Sequence, residues 1–283
     1  MFGVSCEALP RQVNFLTDEA GECGKGANAV ISRVHYLFEH HGFGEKNVYL
    51  HADNCTGQNK NNCMIHYLLW RTLTNRHQHH SVIPSCWSHK FSPDWCFGLF
   101  KRLYRRTKVG SLQSIFEVVN DSAECNFAQL VSREDGSTIV PTFDWTDLFA
   151  PHMKIVGIKK LHHFRMTSAS PGCVFVREHI DSAEVTIKLL KEPAWTPDVS
   201  DLPNVPPHGL SAERQWYLHE QIRPFCPDQD KDSVHCHWFQ SLVEVDEVRQ
   251  SQKRIAQHRH HLSGNVCGMC HQEGHDRRRC PNK

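Results

Sequence analysis

Asn47-Val-Tyr-Leu-His-Ala-Asp53 is a short apolar and aromatic run that ends on a carboxylate, and it reads as a strand. Before it, Val30, Ile31, Val34, Leu37 and Phe38 fall at i, i+1, i+4, i+7 and i+8, one helical stripe, with Gly42 as its stop. After it, residues 62–73 are helical with Met64, Ile65, Leu68 and Leu69 on one side. Ser81-Val-Ile-Pro-Ser-Cys-Trp87 is strand-like, Pro84 favouring a sheet edge or bulge. Ser92-Pro93-Asp94 supplies an N-cap, a first-turn proline and a first-turn acid to a helix that carries Phe97, Phe100, Leu103 and Tyr104 inward. Upstream, residues 2–8 and 12–17 form two strand-like runs joined at Leu9-Pro10-Arg11, a hairpin. The order β-β-α-β-α-β-α defines an α/β domain, and its strand-helix-strand crossovers predict parallel strands. Ligand sites in such sheets lie beyond the carboxyl ends of the strands, so Asp53 and Asp94 are expected at one sheet edge.

Composition narrows the function classes. The 283 residues are 39% hydrophobic and 22% charged, with mean hydropathy −0.51, an ordinary globular balance. No run approaches the ~18 apolar residues of a membrane span, and Met1-Phe-Gly-Val-Ser-Cys-Glu7 has no secretory pattern. Lys and Arg number 32 against 31 Asp and Glu, net +1, so any affinity for nucleic acid must come from a local patch. Thirteen cysteines, an odd number without a secretory signal, predict a reducing compartment rather than a disulfide framework.

Four segments follow. Residues 1–192 carry the α/β pattern, and 193–245 hold a proline-rich strap and a helical extension. In that extension Ser211 caps a helix bearing Trp216, Tyr217 and Ile222 until Pro224. Residues 246–266 are a basic linker, and 267–283 form a small separate module. No internal repeat is visible.

Two acids converging at a strand end could hold Mg²⁺ for phosphoryl transfer. Equally, Asp53 could open a turn and Asp94 favour a helix N-terminus. Ala52-Asp-Asn-Cys-Thr-Gly-Gln-Asn-Lys-Asn-Asn62 with Ser88-His-Lys-Phe-Ser-Pro-Asp94-Trp-Cys-Phe-Gly98 resembles a domain of unknown function in transposon-derived proteins. That domain is similar to the RNase H-like core of DDE transposases. The resemblance extends through His162-His-Phe164 and Gly209-Leu-Ser-Ala-Glu-Arg-Gln-Trp-Tyr217. It implies an RNase H-like mixed sheet with flanking helices, with Asp53 and Asp94 at the positions of the second and third catalytic acids. The first acid has no match; the expectation is a chain lacking the first strand, with Asp18 or Glu19 as the substitute otherwise.

Asn54, Gln58, Asn59 and Lys60 follow Asp53 and would contact phosphate or satisfy backbone groups in a helix-entry loop. Lys101, Arg102, Arg105, Arg106 and Lys108 form a basic helical face suited to phosphates. His89 and the pair His162-His163 read as structural, as do Cys226, His235, Cys236 and His237, whose spacing fits no zinc pattern.

At the carboxyl end, Cys267-Gly-Met-Cys270-His-Gln-Glu-Gly274-His275-Asp-Arg-Arg-Arg-Cys280 has the spacing C-x2-C-x4-H-x4-C. Cys267, Cys270, His275 and Cys280 complete a closed tetrahedral Zn²⁺ site of the structural type. Seventeen residues cannot build a hydrophobic core, so the metal would supply the folding energy. The segment resembles the CCHC zinc knuckle of nucleocapsid and transposon proteins. Residues 249–283 hold eight cations, among them Arg277, Arg278 and Arg279, against two acids, a local +6. Such a tail suits single-stranded RNA or DNA. Gly268 and Met269 occupy the positions where knuckles usually place aromatics, so binding there should be mostly electrostatic.

The expected function is therefore zinc-dependent binding of nucleic acid, transposon-end DNA included, by a catalytically incomplete transposase derivative. An active metal-dependent strand-transfer enzyme and a protein-interaction scaffold are the alternatives. The resemblance alone implies a nuclear location.

Overall fold

Pro10 in the turn after Phe2–Cys6 ends the first strand, β1, and the chain doubles back as β2 (Arg11–Leu16). The computed structural model describes residues 1–42, 44–74, 78–82, 92–133, 135–192 and 197–231. The hairpin pairs Phe2 with Phe15 and Cys6 with Arg11. Then come α1 (Ala27–His40), β3 (Asn47–His51), α2 (Asn62–Leu73), β4 (Gln78–Val82) and α3 (Ser92–Tyr104). They are followed by α4 (Leu112–Ser122), β5 (Asn126–Leu130), α5 (Trp145–Phe149), β6 (His163–Met166), β7 (Cys173–Arg177), β8 (Val185–Lys188) and α6 (Ala212–Tyr217). Through α3 the element order follows the apolar periodicity of the sequence, although β4 lies three residues earlier than its strand-like run.

The chain is mixed α/β, but the expected single sheet is replaced by two. One has the order β1-β2-β5 and the other β3-β4-β6-β7-β8. The crossover through α2 makes β3 and β4 parallel, Asn47 opposite Gln78 and His51 opposite Val82. The smaller sheet is completed by a long-range pairing. The second edge of β2 is taken by β5 in parallel register, from Gln12 opposite Asn126 to Leu16 opposite Leu130. Among the described residues no strand joins β1 to β3.

Two compact units divide the chain, Met1–Gly209 and Leu210–Lys283. In the first, the main core gathers Val30, Ile31 and Val34 of α1 with Tyr67, Leu68, Leu69 and Trp70 of α2. Trp145, Phe164, Met166, Val174 and Val176 complete it from α5, β6 and β7. Burying such side chains contributes roughly 1.5–3 kcal/mol each, so α2, buried almost continuously from Met64 to Thr72, is the central element. A second cluster packs Leu16, Val119 and Ala128 with Phe100, Leu112, Ile115 and Phe116, seating α3 and α4 on the smaller sheet. Residues 197–209 run along this unit. Trp70 Nε1 donates to the Pro197 carbonyl at 3.1 Å, and Val205 N–H donates to that of Thr142 at 2.7 Å.

In the second unit Ser211 Oγ accepts the Arg214 N–H at 3.3 Å, the cap its position suggested. The helix widens into a π-type turn at Leu218–Ile222 and ends as a 3-10 turn at Arg223–Phe225. Pro224 lies there and cannot donate to continue it.

Candidate nucleic-acid interface

Several polar groups of residues 52–62 are engaged by hydrogen bonds within the protein. Asp53 Oδ1 accepts the Cys55 N–H at 3.1 Å and the Asn59 side-chain amide at 2.7 Å, closing the loop after β3. Gln58 Nε2 donates to the Lys25 carbonyl at 3.1 Å. Asn61 caps α2 through the Met64 N–H at 2.9 Å, and Asn62 Oδ1 accepts from Ile155 N–H at 2.7 Å. Lys60 corrects an expectation. It is 1% exposed, and its ammonium donates to the Lys159 carbonyl at 2.6 Å, with His162 Nδ1 at 3.5 Å. Burial also lowers its pKa. The side chain expected to meet phosphate instead ties the entrance of α2 to the segment before β6.

Asp94 is exposed in the first turn of α3, where the helix dipole favours a carboxylate without any ligand. Among the described residues, no group of three or more His, Cys, Asp or Glu side chains is placed to hold a metal ion. Asp53 already spends one oxygen inside its own loop. Asp53 thus lies in the loop after β3 and Asp94 in the first turn of α3. The described cysteines, Cys55, Cys63, Cys96 and Cys125 among them, form no disulfide. Burial, with the Asp144 charge second, pushes the Cys63 thiol up to about 12.

The cations of α3 behave in the opposite way. Lys101, Arg102, Arg105 and Arg106 are all exposed, and with Gly98 they line an open groove of about 410 Å³. Among the described residues none of the four has a salt-bridge partner. Guanidinium and ammonium groups gathered without carboxylates are matched to phosphate oxygens.

What holds this face outward is the other side of the helix. Cys96 is buried and Phe100 packs into the core of the smaller sheet. Phe97 lies over β1 at Gly3, where a Cβ would meet the ring Cζ at 2.6 Å, so only glycine admits the helix at this distance. A buried amide ladder completes the seat. Gln12 Nε2 donates to Asn14 Oδ1 at 2.8 Å, and Asn14 Nδ2 donates to Asn126 Oδ1 at 3.4 Å. Asn126 Nδ2 then donates to the Cys96 carbonyl at 3.1 Å. Sequence reading missed this ladder; three amides on what become neighbouring strands were its only signal. Cys267, Cys270, His275, Cys280 and Arg277, Arg278 and Arg279, like His89 and the group around His235, lie outside the described residues.

The fold and groove together define a mixed α/β domain presenting one cationic helix face. Residues 11–181, more than half of the sequence, match the family described as "Domain of unknown function (DUF7869)". The chain belongs to that family. No curated protein and no solved structure matched it.

Proposed function

We propose that this chain is a zinc-dependent nucleic-acid-binding protein, derived from a DDE-type transposase and lacking a complete catalytic centre. The observation that carries the reading is the groove lined by Lys101, Arg102, Arg105 and Arg106, four exposed cations in a chain of net charge +1. A duplex or single strand neutralised by such a patch releases counterions, which makes affinity fall steeply with salt. The carboxyl-terminal C-x2-C-x4-H-x4-C segment supports the same reading from the sequence. Its ligand chemistry, three thiolates and one imidazole, fits Zn²⁺, and its three adjacent arginines suit the same class of partner. Bound zinc would order that segment without taking part in chemistry. The unmatched first acid, together with the engaged Asp53, favours binding over strand transfer, and a nuclear site of action follows from kinship with transposases.

The test combines metal analysis with fluorescence anisotropy on labelled single-stranded and duplex oligonucleotides. The purified chain should carry one zinc and bind at low salt. Cys270→Ser should lose both the zinc and part of the affinity, and alanines at Lys101, Arg102 and Arg105 should weaken binding of all sequences alike. A zinc-replete chain that binds neither oligonucleotide would refute the proposal. So would Mg²⁺-dependent cleavage abolished by Asp53→Ala, which would restore the enzyme.

A further inference from the structure

We infer that Trp95 and Gly98 turn the cationic face of α3 into a stacking site for an unpaired base, so the groove prefers single-stranded nucleic acid over duplex. This inference rests on the nucleic-acid-binding reading and names the form of its ligand.

Trp95 is 63% exposed, an unusual state for the largest apolar side chain in a helix whose opposite face is buried. At 100° per residue, Trp95, Gly98, Arg102, Arg105 and Arg106 fall on one side of the helix and its C-terminal turn, with Lys101 at the flank. Among the described residues no ring contacts the Trp95 indole.

Gly98 adds the second observation. A helical glycine costs about 1 kcal/mol relative to alanine, and a close neighbour normally requires it. Gly3 has such a neighbour. At Gly98 a Cβ would meet nothing within 4 Å. The missing side chain leaves bare backbone in the lining of the groove, three residues after Trp95 and four before Arg102. A flat base laid on the indole would place its ribose over Gly98 and its flanking phosphates among Arg102, Arg105 and Arg106. Stacking of this kind tolerates any base, because every base has a π-face, and it is closed to a paired duplex. Asp94 also lies on this side, so the face holds four cations against one carboxylate. That acid stands at the amino end, beyond the indole, away from the phosphate track.

Stacking is worth a factor of about 5 to 150 in affinity per base. Trp95→Ala in the full chain should lower affinity for single-stranded oligonucleotides by such a factor. It should leave duplex affinity, salt dependence and melting temperature unchanged, and Trp95→Phe should recover most of the loss. Single strands with abasic sites in place of bases retain every phosphate; wild type should bind them as weakly as Trp95→Ala does. Ultraviolet cross-linking to 5-iodouracil-substituted strands should modify the peptide containing Trp95. If wild type binds single strands and Trp95→Ala binds them equally well, the stacking site is refuted while the electrostatic reading stands. If wild type binds nothing, both fail.

Discussion

Lys60 and Lys101 make the instructive pair. Both belong to stretches dense in polar residues next to a candidate acid, yet one is 1% exposed and the other lines an open groove. The loop of residues 52–62 satisfies its own backbone and the segment before β6. Among the described residues the cations of α3 have no salt-bridge partner, and the helix is held by Phe97, Phe100 and Cys96 on the far side. Charge density near a carboxylate is therefore no measure of availability to a ligand. The number of internal hydrogen bonds a group makes separates the two cases.

Substitution at Lys60 should strike the loop hardest. Lys60→Ala removes a buried chain of methylenes and the donor to Lys159, with an expected loss of about 3 kcal/mol. Denaturant titration would show it, while the folded fraction keeps its oligonucleotide affinity. An affinity loss at full stability would place Lys60 in the interface after all. Next in size is the ladder beneath α3. Asn126→Ala removes a donor to the Cys96 carbonyl and an acceptor for Asn14 Nδ2 in a buried site, at a cost of about 2 kcal/mol, and amide exchange should accelerate in α3 before α2. Asn61→Ala deletes the cap of α2 and should cost about 1 kcal/mol without touching binding.

The smallest effect is pH-dependent. Burial lowers the pKa of His66, although the Met153 carbonyl opposes it, and burial likewise lowers that of His152. Below the ordinary value of 6.5 the unfolded chain takes up protons that these rings refuse, so stability is held above pH 6.5 and declines as the solution is acidified. At the alkaline end Cys63 titrates at about 12 instead of 9.0, so the unfolded thiolate gains between those values and stability falls again. Circular-dichroism melting should show melting temperatures that fall as the solution is acidified below pH 6.5; melting temperatures still rising below 6.5 would contradict these burials.

The order of the first seven elements was readable because each follows one periodicity. Val30 to Phe38 keeps to 3.6 residues, and the helix at 62–73 is flanked by strands with Asn61 as its cap. Parallel pairing of β3 and β4 followed from the intervening helix. The two-sheet arrangement was not readable. It depends on β5 pairing with β2 across more than 100 residues, and Asn126-Phe-Ala-Gln-Leu130 carries little apolar pattern of its own. Lys60 was misread for a related reason: its partner is a backbone carbonyl 99 positions away, and any residue type supplies one. The basic face of α3 was legible because helical spacing alone groups Lys101, Arg102 and Arg105. Trp95 stands on that same spacing, but its availability depends on what does not cover it.

The salt dependence of single-strand binding tests the α3 face most directly. Each phosphate contact contributes about 0.7 to the slope of log K against log salt for single strands. Replacing Lys101, Arg102, Arg105 and Arg106 by alanine in the full chain should reduce that slope by about 3 at an unchanged melting temperature. An unchanged slope would show that the groove carries no phosphates, and the account of this face would fall.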